Sequence, residues 1–214
     1  MNSAKLIGLL GVAFASLPLF GQPATPCETP PNQATNRPVY SAQVKHVDGP
    51  GLLPADFAYI TFGTNKFGFV IPVGFHLETE SAQEVTLVSA NLGSLMTFRV
   101  LEALPPGAPE LDSAWYRDLL MSRRPGAKIT EEFSQTAINR SGPAFELHWK
   151  AAGKVPRRER VLFIASDAGV LEFCLSSSPE EFEAHRPTFC TLLLTFRAAD
   201  ESGQLRMPML SNRL

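Results

Sequence analysis

The sequence has no surplus of either charge: 19 Lys and Arg stand against 21 Asp and Glu, a formal net charge of -2. Such a balance gives no electrostatic footprint for nucleic acid and no general attraction to an anionic membrane. Glycine-rich phosphate loops and G-x-S-x-G nucleophile turns are absent, which removes the usual signals of nucleotide binding and of serine hydrolase chemistry. Histidine is scarce, with four residues, and a metal site needs several ligands that converge. No second long apolar run follows the first, and no internal repeat is visible.

What is present begins with "MNSAKLIGLLGVAFASLPLFGQ". Lys5, an apolar run from Leu6 to Leu17, and Pro18 before Gly21 read as a secretory signal peptide over residues 1–21. The run is shorter than the roughly 20 residues a spanning helix needs, so signal cleavage leaves no integral membrane span. Cys27 sits in "ATPC", without the Leu and the small residue that lipid attachment wants, and Pro26 argues against it. The expected location is therefore periplasmic or extracellular.

In an oxidising compartment Cys174 and Cys190 are candidates for a disulfide, closing a loop of about 16 residues worth ~3 kcal/mol if unstrained. The alternative is two buried thiols packed as small apolar residues.

Residues 22–64 open with a Pro-, Thr- and Asn-rich leader too polar to build a core, with room for a docked strand at "VYSAQVKHV". The domain is expected over residues 65–197, with its core starting near Phe67, and residues 198–214 form a tail. In "KFGFVIPVGFHLETE", Phe67, Phe69 and Ile71 alternate as a strand. Pro72 ends ladder pairing and Gly74 supplies the reversal into Phe75 and Leu77.

"EVTLVS" and "SLMTFRVLEAL" continue as antiparallel strands. Pro109 starts a helix with Leu111, Trp115 and Leu119 four residues apart, closed by Pro125-Gly126. Strands return at "KITEEFSQTAI", "AFELHWKA", "RVLFIA" and "GVLEFCLSS". Ser178-Pro179-Glu180-Glu181 reads as a capping box for a last helix, with a break or restart near Pro187.

The order of these elements, with "FGFVIPVGF", "GPAFELHW" and "GVLEFCLSSSPEEF", resembles the PsbP/Mog1-like fold across about residues 65–197. The resemblance implies an α+β domain, an antiparallel sheet flanked by helices in an α/β/α sandwich. It also implies binding or accessory roles, including photosystem assembly, nucleotide exchange on a small GTPase, and envelope work in bacteria. Phe75 stands where Trp is frequent, and no family ligand residue matches a position here, so fold alone does not settle the function.

Several residue sets could carry chemistry. His46 with Asp48 and His76 with Glu78 share a strand side, as exposed polar faces routinely do. Cys174 and His185 would form a dyad only if folding joined them. Ser166-Asp167 suits a hairpin, and Glu131-Glu132 or Glu180-Glu181 are adjacent carboxylates that diverge.

The most distinctive polar stretch is "KAAGKVPRRER", where Lys150, Lys154, Arg157, Arg158 and Arg160 crowd one hairpin. It suits an acidic partner or an anion, or else a solvated loop that guards a sheet edge, which Glu159 favours. The expectation is an exported, non-catalytic binding or accessory module at the cell envelope, without cofactor or metal. Its partner would be an envelope protein or a small ligand. The alternatives are a small hydrolase-like enzyme with a loop-assembled site and a purely structural accessory protein.

Overall fold

Alternating apolar and polar residues govern most of the chain, so strands dominate. The computed structural model describes residues 40–48, 54–78, 84–101, 112–151, 155–166, 168–199 and 204–205, all within one unit spanning Arg37–Leu214. Residues 1–21, read above as a signal peptide, Cys27 and Lys154 lie outside the described residues.

Four strands form a small sheet: β1 (Tyr40–Val47), β2 (Ala55–Phe62), β3 (Asn65–Val70) and the two-residue β11 (Arg197–Ala198), in the order β1-β2-β3-β11. The remaining strands are β4 (Phe75–Glu78), β5 (Val85–Ser89), β6 (Ser94–Val100), β7 (Lys128–Ala137), β8 (Arg140–Lys150), β9 (Pro156–Ser166) and β10 (Gly169–Ser177). They make a seven-stranded antiparallel sheet ordered β4-β5-β6-β10-β9-β8-β7.

Two helices complete the fold, α1 (Ser113–Arg123) and α2 (Phe182–Thr195). Tyr116 and Leu120 of α1 pack on one face of the large sheet with Phe145, Val161 and Phe163. On the other face α2 shares a second core with the small sheet. There Phe196 lies 4.8 Å from Phe98 and from Phe173, ring centre to ring centre, and stacks on Phe69 at 5.6 Å. The expected helix-flanked sandwich is therefore met in part: one outer layer is α1, and the other is α2 together with a four-stranded sheet.

Several expectations change. Tyr40, Ala58 and Ile60 belong to the core, so it reaches back well before Phe67. Burial pushes the Tyr40 hydroxyl up to about 12, and its oxygen accepts the Val100 N–H at 2.6 Å, tying β1 to β6. The turn at Pro72–Phe75 is closed by Phe75 N–H to the Pro72 carbonyl at 3.1 Å, with Gly74 at φ 84°. It is also the point where the chain leaves the small sheet for the large one.

α1 is capped by Asp112, whose carboxylate accepts the Trp115 N–H at 2.9 Å, and its buried stripe is Tyr116 and Leu120 rather than Trp115. Its Pro109 start lies outside the described residues. α2 runs unbroken through Pro187. Phe182 and Phe189 anchor it on both sides of the proline, and a proline in the second turn removes only one backbone hydrogen bond. The helix starts at Phe182, and Ser178 serves it through its carbonyl, which accepts the Glu181 and Phe182 N–H groups, rather than through a capping box.

Candidate functional site

The register brings one end of the large sheet into a single row: Phe75 opposite Ser89, then Ser94, Ser177, Arg158, His148 and Lys128 on successive strands. The Pro72–Phe75 turn, the Ser89–Ser94 turn, the end of α1, the base of the β8–β9 hairpin and the start of α2 all meet there. Among the described residues this end holds a cleft of about 450 Å³. Its walls are Pro125-Gly126 after α1, His148-Trp149-Lys150 of β8, Pro156-Arg157-Arg158 of β9, and Pro179 before α2.

The basic stretch seen in the sequence is divided by the fold. Arg158 donates to Glu183 at 2.9 Å and to Glu146 at 3.3 Å, and its guanidinium lies 4.2 Å from the Phe182 ring centre. Arg160 donates from Nε, at 2.9 Å, and from Nη2 to the same Glu146 oxygen, Oε1, and its guanidinium covers the Phe133 ring at 4.7 Å. These two arginines neutralise a buried carboxylate on β8, and Arg158 ties β9 to α2. They are committed to the fold.

Arg157 and Lys150 are different. Arg157 donates from Nη1 to the Gly93 carbonyl at 2.8 Å, leaving the rest of its donor fork turned to the cleft. Lys150 and His148 are exposed and have no hydrogen-bond or ion-pair partner among the described residues. Trp149 sits opposite Arg157 across the ladder.

Its indole N–H donates to Glu159 at 2.9 Å, and the other Glu159 oxygen accepts from Arg124 at the end of α1. Glu159 is only 3% exposed. The residue that looked like a sign of a solvated loop is therefore a buried anchor that fixes the Trp149 ring. The cleft pairs a held aromatic plane with two cationic groups.

A second polar group joins the Ser89–Ser94 turn to the head of α2. Ser94 Oγ lies 2.6 Å from His185 Nδ1, 2.7 Å from Ser177 Oγ and 3.4 Å from Glu181 Oε2. Glu181 also accepts from Asn91 at 2.6 Å, and a methyl group on Gly93 would come within 2.0 Å of its carboxylate. Serine, histidine and glutamate meet, yet the arrangement is poorly suited to nucleophilic attack. Ser94 is 0% exposed, and Glu181 lies on the hydroxyl rather than orienting the imidazole. The cluster instead seats α2 on the sheet.

The other sequence candidates are scattered. His46 donates from Nδ1 to the carboxylate of Asp56, its ladder partner, at 2.7 Å, and not to Asp48. His76 stands 3.9 Å from Glu78 on an exposed edge. Glu132 is drawn below the usual carboxylate range by Ser113 and then Arg117, while Asp167 lies outside the described residues.

Cys174 and Cys190 are free, which corrects the disulfide expectation. Cys174 belongs to the α1-facing core and Cys190 to α2 on the opposite face of the sheet. Burial pushes the Cys174 thiol well up, and no dyad with His185 forms across the sheet. Among the described residues no cluster of three His, Cys, Asp or Glu side chains could hold a metal, and no helix is long and apolar enough to cross a membrane.

No protein-family model and no curated protein matches the chain. Solved structures similar to it include cyanobacterial PsbP from Synechocystis, at 13% identity and a TM-score of 0.47, covering 77% of this chain and 95% of that one. LpqN, involved in cell envelope biogenesis of Mycobacterium tuberculosis, is similar at 11% identity and 0.40, covering 75% of this chain and 92% of that one. A Pseudomonas aeruginosa protein of unknown function is similar at 13% identity and 0.37, covering 73% and 81%. A PsbP thus stands among the similar structures, as the sequence resemblance implies. At these identities and scores the neighbours assign no residue of the cleft a role.

Proposed function

We propose that this chain is an exported, non-catalytic binding module of the cell envelope whose ligand enters the cleft at Trp149. The observation that carries the reading is the Arg124–Glu159–Trp149 chain, which holds an indole beside Arg157 donors and Lys150, a cation without a partner among the described residues. A held ring costs little further ordering when a ligand stacks on it, and two nearby cations favour an anionic group. The cleft volume of about 450 Å³ lies in the range of small-ligand sites. The buried Ser94 and the buried, poorly ionised Cys174 support the non-catalytic part. Export rests on the N-terminal segment.

The test uses Trp149 as its own reporter, in a Trp115→Phe background, titrated with phenyl phosphate as a planar anion. Saturable quenching is expected, and it should be lost when Lys150 and Arg157 both become Glu. An unchanged emission spectrum up to millimolar probe, or equal quenching in the double variant, would sink the cleft as a site. Arg158 is the wrong residue to reverse, because its loss would strip one of the two arginines from buried Glu146 and release Glu183 of α2 from β9.

A further inference from the structure

The cleft does not stand alone at its end of the sheet. Ala90 N–H donates to the Gly74 carbonyl at 2.9 Å, joining the Pro72–Phe75 turn to the Ser89–Ser94 turn. The Arg157 bond to Gly93 joins that second turn to the cleft. Two aliphatic side chains crown these turns: Val73, 99% exposed, and Leu92, 69% exposed. Val155, also exposed, precedes Pro156 of the cleft wall, and its carbonyl accepts the Ala151 N–H at 2.9 Å.

Leu92 is the informative one. Its φ is 59°, a left-handed conformation that Gly and Asn adopt easily and that an ordinary side chain resists. Ile138 makes the same move at φ 54°, but its side chain packs against the core and is repaid in burial. Leu92 closes its turn by donating its N–H to the Ser89 carbonyl at 2.8 Å, but its side chain, largely exposed, gains no core burial in return. A strained residue with an exposed apolar tip indicates a contact outside the fold.

Charge identifies that contact. Around the same end Lys128, Lys150 and Arg157 have uncommitted cationic donors, and Glu180 is the exposed acid without a partner among the described residues. Glu181 is held by Asn91 and Ser94, and Glu183 by Arg158 and Arg186. The whole chain carries a formal charge of -2, so this cationic end is a local asymmetry. Aliphatic tips beside lysine, arginine and a half-buried tryptophan are what an anionic bilayer surface takes up. The chains enter below the headgroups, the indole lies at their level, and the cations meet the phosphates.

We infer that this end docks on anionic lipid, with Val73 and Leu92 entering the interface and a lipid phosphate occupying the cleft between Lys150 and Arg157. This inference rests on the cleft as an anion site and names the anion's source. Neither signal suffices alone, since shallow apolar insertion and a few cations each give weak, reversible membrane binding. Together they make attachment sensitive to salt and to lipid charge.

The experiment is co-sedimentation of the mature chain with vesicles of phosphatidylcholine alone or with about a third phosphatidylglycerol, at low and moderate salt. Phenyl phosphate quenching of Trp149 runs in parallel. Binding is expected to the anionic vesicles and not to the neutral ones. Leu92→Asn together with Val73→Asp should weaken it about tenfold or more while leaving the phenyl phosphate titration unchanged. Leu92→Asn alone should melt no lower than the parent, which separates lost docking from lost folding.

Lys150→Glu with Arg157→Glu should abolish both readouts. Anionic vesicles bound equally by the Val73 and Leu92 variant, or neutral vesicles bound equally by the parent, would overturn the docking inference. Phenyl phosphate quenching without vesicle binding would overturn it too and leave the cleft standing. Failure of both readouts would remove the cleft reading as well.

Discussion

Ile138 and Leu92 hold nearly the same backbone conformation at opposite ends of one sheet, and their surroundings differ in every respect. Ile138 turns β7 into β8 with Asn139, at φ 54° and 57°, and presses its side chain onto the Phe-rich core. Beside it Arg140 donates to the Ala165 carbonyl at 2.9 Å and Ser166 to the Gly169 carbonyl at 2.7 Å. At the other end Leu92 and Val73 face solvent above a basic cleft. One end of the sheet is closed by packing, and the other is built with its apolar and cationic groups facing outward. A stable end and a receptive end ask for different tests.

The largest effect is expected at the closed end, from Gly142→Ala. A methyl group there would sit 1.8 Å from the Phe163 carbonyl oxygen, and backbone cannot swing aside as a side chain can. Forcing β8 from β9 should cost at least about 3 kcal/mol, measured by urea unfolding. A variant as stable as the parent would mean that the strands are not in this close contact.

Of comparable size is Glu159→Ala, which acts on the support beneath the receptive end. It leaves Arg124 buried and unpaired and removes the acceptor of the Trp149 indole. Removing one partner of a buried pair costs about 3–5 kcal/mol. Trp149 emission should also shift and its phenyl phosphate quenching should fall. A stability loss with quenching unchanged would show that Glu159 braces the sheet but does not set the ring.

These two residues show how far the sequence alone reaches. Alternation in "AFELHW" places Phe145, Leu147 and Trp149 on one side, and the structure agrees because a strand's period is local. Gly74 declares its turn because few other residues take that φ without strain. The α1 stripe is read one residue off, since Trp115/Leu119 and Tyr116/Leu120 share the same spacing. Only the position of the sheet decides which pair is buried.

The charge run was visible as a run, but its division was not. Glu146 and Glu183, which commit Arg158, lie 12 and 25 residues away, and Gly93, which Arg157 meets, lies 64 away. Ser94 and His185 are 91 residues apart and carried no signal in sequence.

The sharpest test of the comparison is a matched pair, Ile138→Asn and Leu92→Asn. Asn relieves the left-handed strain at both, by up to about 1 kcal/mol, because its short polar side chain tolerates that conformation. At Ile138 the relief is outweighed by lost burial, giving a net loss of about 1 kcal/mol. At Leu92, largely exposed, there is little burial to lose, so stability should hold or rise by up to about 1 kcal/mol. Opposite signs in parallel melts would confirm that only one of these residues serves the fold. Equal losses would show that Leu92 has an internal role and would weaken the case for an outward one.

The smallest effect concerns pH, and it matters because vesicle binding measured across pH is interpretable only against the pH response of the fold. His46 faces Asp56 across the edge ladder β1–β2, and the hydrogen bond to that carboxylate raises the imidazole above its usual value. A raised folded-state pKa means the pairing favours the protonated folded form. Its contribution is complete below the unfolded value of about 6.5 and fades as pH rises through the folded one. Both side chains are exposed, so the change in melting temperature should be too small to resolve at moderate salt. Proton NMR of the His46 ring should still show the raised midpoint and its fall in Asp56→Asn. With that reference in hand, any larger pH dependence of vesicle binding belongs to the cleft end, where neither His46 nor Asp56 is found.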